Sequence, residues 1–255
     1  MTVSSPLAGR TLVVTGASSG IGRGIALAAA GAGADIALTY RTNERGARQT
    51  AADIEALGRR AVIGRMDLAD VDSIQTLARD VARQFARVDV WVNNAGADIV
   101  TAGGESLSRL EKLDLLLRVD LRGTMIASWT AAELMAAQPE GGVIVNVSWD
   151  HVPIGMQGTN PQLYAAAKGG ITAFSKGLAR SVAPRVRVNI VAPGWIETAF
   201  GAGVDRGVYS AVAESTPMKR WGTPADVAAA VVYLASPASS FLTGTTINVG
   251  GGVVM

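Results

Sequence analysis

The 255-residue chain has no cysteine and a single histidine, His151. Without cysteine there is no disulfide framework and no thiolate chemistry. With one histidine besides, little remains from which a zinc site could be built, and no metal is expected. A surplus of charge is missing too. The 23 Lys and Arg nearly balance 21 Asp and Glu, and the longest basic run is Arg59-Arg60. That disfavours nucleic acid as a partner. No apolar stretch approaches the roughly 18 residues of a membrane span. The N-terminus carries no charged-then-apolar leader, and residues 1–9 read as a short tail. A cytoplasmic protein is expected. Charged residues make up 17% and hydrophobic ones 49%, the balance of a well-packed globule rather than a disordered chain.

What is present alternates. Short runs rich in Val, Ile and Leu fall at 11–15, 35–40, 61–66, 88–92, 142–148, 186–191 and 245–249. Helical patterns lie between them, near 20–32, 43–57, 70–86, 105–137, 161–182 and 224–235. Apolar strands alternating with helices predict an α/β fold: a doubly wound, Rossmann-like parallel sheet of about seven strands with helices on both faces. No linker, repeat or low-complexity segment interrupts residues 1–255, so a single domain is expected. Asp70 and Asp72 suit the start of the third helix, Thr159 or Asn160 the start before Pro161, and Thr223-Pro224 the start of the last.

In such sheets ligands bind beyond the carboxyl ends of the strands. The first such position reads Thr15-Gly16-Ala17-Ser18-Ser19-Gly20-Ile21-Gly22. A glycine turn between strand and helix allows close backbone approach, and the helix start offers free N–H groups to a pyrophosphate. After the fourth strand stands Asn93-Asn94-Ala95-Gly96, and after the sixth Pro193-Gly194. Tyr164 and Lys168 lie four apart and share one helix face. An ammonium beside a phenol favours the phenolate. A fall of three pKa units would correspond to about 4 kcal/mol, and such a tyrosine serves as general acid or base.

The order of these four motifs resembles the short-chain dehydrogenase/reductase family over nearly the whole chain. Arg220-Trp221-Gly222-Thr223-Pro224-Ala225-Asp226 and Leu242-Thr243-Gly244 look like its 3-oxoacyl-reductase-like and glucose-dehydrogenase-like branch. The resemblance implies that Gly16, Ser18, Ser19, Gly20, Ile21 and Gly22 cradle the pyrophosphate. Asp67 and Leu68 would meet the adenine. Asn94, Ala95 and Gly96 would line the adenosine side of the crevice. Pro193, Gly194, Ile196 and Thr198 would border the nicotinamide. Tyr164 would be the acid/base, and Lys168 would hold the ribose and depress the tyrosine pKa. Where NAD sites usually carry an acid after the second strand, this chain has Tyr40 and then Arg41. A guanidinium suits a 2′-phosphate, so NADP is preferred over NAD.

Two positions depart from the pattern. Asp120 stands where the family usually has asparagine. The family's serine lies 13 residues before the tyrosine, which here is His151. Alignment from Asn146 puts Trp149 there instead, and the nearest serine is Ser148. Ser148, Asp150, His151 or no residue at all could take the role of polarising the substrate oxygen. Trp149, Met156, Gln157, Trp195 and Asp98 would face a small-molecule carbonyl or alcohol substrate. Residues 195–218, with Gly201, Gly203 and Gly207 as hinges and Phe200 and Tyr209 as cover, read as a mobile lid or as short surface helices. Excess apolar helix surface suggests an oligomer, and the resemblance implies a homotetramer. The expected activity is NADP(H)-dependent interconversion of a carbonyl and a secondary alcohol. The alternatives are a dinucleotide-binding sensor or scaffold without turnover, or a dehydration or epimerisation on the same scaffold.

Overall fold

The computed structural model describes residues 5–101, 103–198 and 203–255. Seven strands make one parallel sheet: β1 (Thr11–Val14), β2 (Asp35–Tyr40), β3 (Ala61–Arg65), β4 (Val90–Asn93), β5 (Gly142–Val147), β6 (Val186–Pro193) and β7 (Thr246–Val249). Their spatial order is β3-β2-β1-β4-β5-β6-β7. The chain starts in the middle, runs outward to β3, then crosses back to lay β4 on the other side of β1. The crevice beyond β1 and β4 is therefore the topological switch point.

The helices are α1 (Gly20–Gly31), α2 (Glu44–Ala56), α3 (Val71–Phe85), α4 (Arg109–Leu116), α5 (Thr124–Ala136), α6 (Thr159–Val182), α7 (Arg206–Ser215) and α8 (Pro224–Ala235). Successive strand residues point to opposite faces. Leu12 and Val14 join Ile25, Ala29, Val227 and Val231 of α1 and α8. Val13 joins Trp91, Ile144 and residues of α3, α5 and α6 on the other face. Burial on both faces explains why the strands read as unbroken apolar runs. α1 and α8 pack closely because Gly24 faces Pro224, where a Cβ would come within 2.7 Å of the proline ring.

Helix starts follow the local chemistry. Asp70 accepts the Asp72 N–H at 3.0 Å. Thr223 and Asp226 form a reciprocal capping box with Pro224 in the first turn. Thr159 and Asn160 do not cap α6. They lie inside it, after Gly158 at φ 116°, and no side chain caps that end. The long helix expected near 105–137 is not uniform. A 3-10 turn at Gly104–Ser106 precedes α4, and a π-helical stretch, Leu117–Gly123, joins α4 to α5.

Candidate active site

The glycine turn closes over β1 with no room for a Cβ at Gly16 or Gly22. Gly16 has φ 66°, and a Cβ there would sit 2.9 Å from Ala95 Cα. On Gly22 a Cβ would meet Gly16 O at 2.3 Å and Asn94 Nδ2 at 2.5 Å. The Asn94 amide clamps the turn, donating to Thr15 O at 3.0 Å and Gly16 O at 3.2 Å. Thr15 Oγ1 in turn accepts the Asn94 and Ala95 N–H groups, both at 3.0 Å. Ser19, the residue before α1, makes no side-chain cap, so the first N–H groups of the helix stay free of one. Gly20 stands next to Thr198, whose Cγ2 would be 3.5 Å from an added Cβ. A backbone-lined concavity at a helix start fits a pyrophosphate.

Next along the sheet edge, Tyr40 is partly buried against the core and Arg41 is exposed. Arg41, Arg45 at the start of α2 and Arg65 at the end of β3 form no salt bridge among the described residues. Tyr40 and Arg65 lie in register across β2 and β3. Asp67 Oδ1 accepts the Ala69 N–H at 2.9 Å. The Leu68 side chain is buried in the core, so only its backbone is available at the crevice.

Tyr164 and Lys168 project from α6 toward the π-helical stretch. Lys168 Nζ lies 3.1 Å from Asp120 Oδ2 and 3.3 Å from Val147 O, and both charged side chains are all but sealed from solvent. The lysine–aspartate contact is an ion pair without the alignment of a good hydrogen bond. Asp120 Oδ1 accepts the Ala97 N–H at 2.7 Å, and its carboxylate fills the space a Cβ on Gly96 would need. One carboxylate thus joins the strand β4 end to the lysine. Lys168 Nζ sits 5.3 Å from the centroid of the Tyr164 ring.

The electrostatics run partly against the expectation of a depressed tyrosine. Burial pushes the Tyr164 phenol up most strongly; Lys168 pulls it down, Asp120 pushes it up again, and the net direction is upward. Burial works against the Lys168 ammonium, but the charges of Tyr164 and Asp120 more than offset it, and its pKa rises. Lys168 acts on the phenol in the expected sense; Asp120 and the dry surroundings outweigh it.

Tyr164 opens on a cleft of about 630 Å³ that runs from Ser19, Gly20 and Ile21 past Gly96 to Trp149, Met156, Trp195 and Thr198. The side of the cleft beyond Tyr164 is aromatic. Trp149 meets Tyr164 edge-on at 5.4 Å and stacks on His151 at 4.9 Å. His151 meets Trp195, Trp195 meets Trp221, and Trp221 stacks on Tyr209 of α7 at 4.8 Å. The chain's one histidine and three of its five tryptophans are gathered here.

A model of the family described as Enoyl-(Acyl carrier protein) reductase matches residues 16–254. The 3beta-hydroxysteroid dehydrogenase 1 of Eggerthella lenta is 35% identical over 254 residues, 98% of this chain and 95% of that one. The 3-oxoacyl-[acyl-carrier-protein] reductase of Synechocystis sp. is 34% identical over 253 residues, 98% of each chain. The chain belongs to the short-chain dehydrogenase/reductase family. It is an NAD(P)-dependent oxidoreductase. Among solved structures, a short chain dehydrogenase from Burkholderia cenocepacia J2315 in complex with NADP superposes with a TM-score of 0.87 at 34% identity, covering 97% of this chain and 99% of that one.

The end of β5 holds the residues that sequence left as alternatives. Ser148 lines the cleft, but its hydroxyl is bonded to α6, 3.0 Å from Lys168 O and 2.7 Å from Thr172 Oγ1, and so fastens β5 to α6. Asp150 is fully buried next to Gly194 and Gly250. Its Oδ1 lies 2.6 Å from His151 Nδ1, and burial raises its pKa. His151 is not a wall of the cleft. Of the substrate-facing residues expected, Asp98 is partly engaged in its own loop, accepting the Val100 and Thr101 N–H groups at 2.9 and 2.8 Å. Gln157 does not line the cleft, whereas Trp149, Met156, Trp195 and Asp98 do.

Sequence reasoning missed the buried polar ladder behind the site. Asn93 Nδ2 donates to Asn146 Oδ1 at 2.8 Å, and Asn146 Nδ2 donates to Ser175 Oγ of α6 at 2.8 Å. It sets α6 in register on the sheet, and so places Tyr164 and Lys168. The signal was there: one asparagine in each of two otherwise apolar strands, where an amide must find partners. Two earlier expectations, Phe200 and Gly201, fall outside the described residues. No helix among the described residues is long and apolar enough to cross a membrane.

Proposed function

We propose that the protein is an NADP(H)-dependent reductase and alcohol dehydrogenase for a carbonyl/secondary-alcohol pair, with Tyr164 as general acid/base. The observation that carries this is the convergence of the Tyr164–Lys168–Asp120 group and the backbone-lined glycine turn on one cleft. When bound, the nicotinamide supplies or accepts the hydride. Gly16, Ser18, Ser19, Gly20, Ile21 and Gly22 hold the pyrophosphate, and Arg41, aided by Arg45 and Arg65, holds the 2′-phosphate. Asn94, Ala95 and Gly96 border the adenosine, and Pro193, Gly194, Ile196 and Thr198 the nicotinamide side. Lys168 holds the ribose. As the carbonyl π pair moves onto oxygen, Tyr164 O–H gives that oxygen its proton; in the reverse direction the phenolate takes it back. The upward push on the phenol keeps it protonated, the form reduction needs.

One domain carries both cofactor and catalytic residues, and α7 covers the substrate side as a lid. Exposed Leu110, Leu117 and Trp129 on the α4–α5 stretch, with Tyr233 and Phe241 near the C-terminus, provide the apolar faces of a homotetramer in the cytoplasm. The sensor reading is not favoured, because the relatives are named as dehydrogenases and reductases. Y164F tests the assignment. Turnover of ketone probes should fall by 10² to 10⁴ or about that much, while NADPH binding, read by fluorescence, stays within about twofold. Full activity in Y164F would refute it.

A further inference from the structure

A carbonyl oxygen that gains charge during reduction is best served by two donors, since each one placed before the reaction stabilises the developing alkoxide. Tyr164 is one. The polar side chains around it are mostly committed elsewhere. Ser148 is tied to Lys168 O and Thr172. Asp150 is sealed, and His151 pairs with it beneath the Trp149 ring. Thr101 donates its hydroxyl to Asp98; Asn160 accepts from Lys112 at 3.3 Å through its Oδ1, which leaves its NH2 uncommitted. Trp149 remains as well. It lines the cleft with Tyr164, 5.4 Å away edge-on. Its indole N–H bonds to no other described residue and is not among the sealed polar atoms. The ring is held in place by the stack on His151, which is itself fixed by Asp150.

We infer that the Trp149 indole N–H is the second hydrogen-bond donor to the substrate oxygen that Tyr164 protonates. The assignment rests on the proposed role of Tyr164. Trp149 gives up no proton: it donates a hydrogen bond that strengthens as the C=O pair moves onto oxygen, while Tyr164 transfers the proton that completes the alcohol. The Asp150–His151 pair acts through Trp149 as a positioning element, holding the indole at one orientation.

Two substitutions separate the donor from the ring. W149F keeps a stackable ring and removes the N–H; W149Q removes the ring and keeps an N–H of similar reach. Steady-state reduction of isatin, 9,10-phenanthrenequinone and ethyl 4-chloroacetoacetate by NADPH is the assay, run beside Y164F. The expected result is a fall in kcat of about 10² in W149F, with NADPH affinity within about twofold and W149Q at least about tenfold more active than W149F. W149F within about threefold of the unsubstituted protein, or W149Q below W149F, would overturn the donor and leave only packing. In that case inactivity of Y164F would show that the tyrosine reading stands by itself. Undiminished activity in Y164F, or no turnover of any probe by the unsubstituted protein, would overturn both.

Discussion

Replacing Asp120 with asparagine tests the electrostatic logic of the site. The carboxylate sits 3.1 Å from Lys168 Nζ, and both groups are all but inaccessible. At the effective dielectric of about 20 that suits protein sites, two unit charges at that separation attract by about 5 kcal/mol. The net loss is smaller, because water and side chains relax around the freed ammonium. Removing one partner of a buried pair typically costs about 3–5 kcal/mol. Asparagine, though the same size as aspartate, also meets a hydrogen-bonding conflict. If its Oδ1 keeps the Ala97 N–H, now 2.7 Å from Asp120 Oδ1, its NH2 faces the ammonium donor to donor. D120N should therefore lose about 3 kcal/mol, or about 6 °C in melting temperature for a chain of this length. The sign with pH follows from the raised lysine pKa. That stability is present below the ordinary lysine value of about 10.4 and disappears as pH climbs through the folded-state value. The deficit of D120N should be full at pH 7 and shrink in strong alkali. Because Asp120 pushes the Tyr164 phenol up, D120N should also move the inflection in the pH profile of alcohol oxidation toward acid. Calorimetry and a kcat/KM profile are the assays. A melting temperature unchanged within about 1 °C, together with an inflection that stays put or moves upward, would refute the reasoning.

Other substitutions read the remaining parts. G22A would drive a Cβ into Gly16 O and the Asn94 amide. It should cost about 1–3 kcal/mol by overpacking and weaken NADPH binding, measured by calorimetric titration. S148A should lose about 1 kcal/mol with its bonds to α6. Its kcat should stay within about fivefold, and abolished turnover with intact folding would show that the hydroxyl does chemistry. R41A should weaken NADPH by about tenfold or more, the scale of a charge-assisted phosphate contact, and leave NADH within about twofold. Equal effects on the two cofactors would remove the argument for NADP.

Much of the architecture was legible in local pattern. Apolar runs of strand length, broken by helix periods and capped by Asp70 and Thr223, specify an α/β sheet, because each element's burial is written in its own residues. The glycine turn was legible because its glycines stand between a strand run and a helical one; that a Cβ has no room at Gly16 is set by Ala95, far along the chain. The Tyr164–Lys168 pair was visible because four residues is one helical turn. Less visible was anything that depended on a side chain's direction after a strand ends. Ser148, Trp149, Asp150 and His151 are neighbours in sequence, and no periodicity says which faces the cleft. That is decided by Thr172 and Lys168 O capturing the serine hydroxyl, by Gly194 and Gly250 leaving space for the Asp150 carboxylate, and by the tryptophan taking the open side. The charge on Tyr164 was equally out of reach, since it sums burial and the fields of two groups brought together from 120 and 168. Sequence by itself determined the sheet, the glycine turn after β1 and the pairing of Tyr164 with Lys168 on one helix face, because local pattern and hydrophobic period suffice for them. Only the tertiary structure decided the electrostatic balance around Tyr164 and how the side chains after β5 are held, because both depend on contacts between residues far apart in the chain.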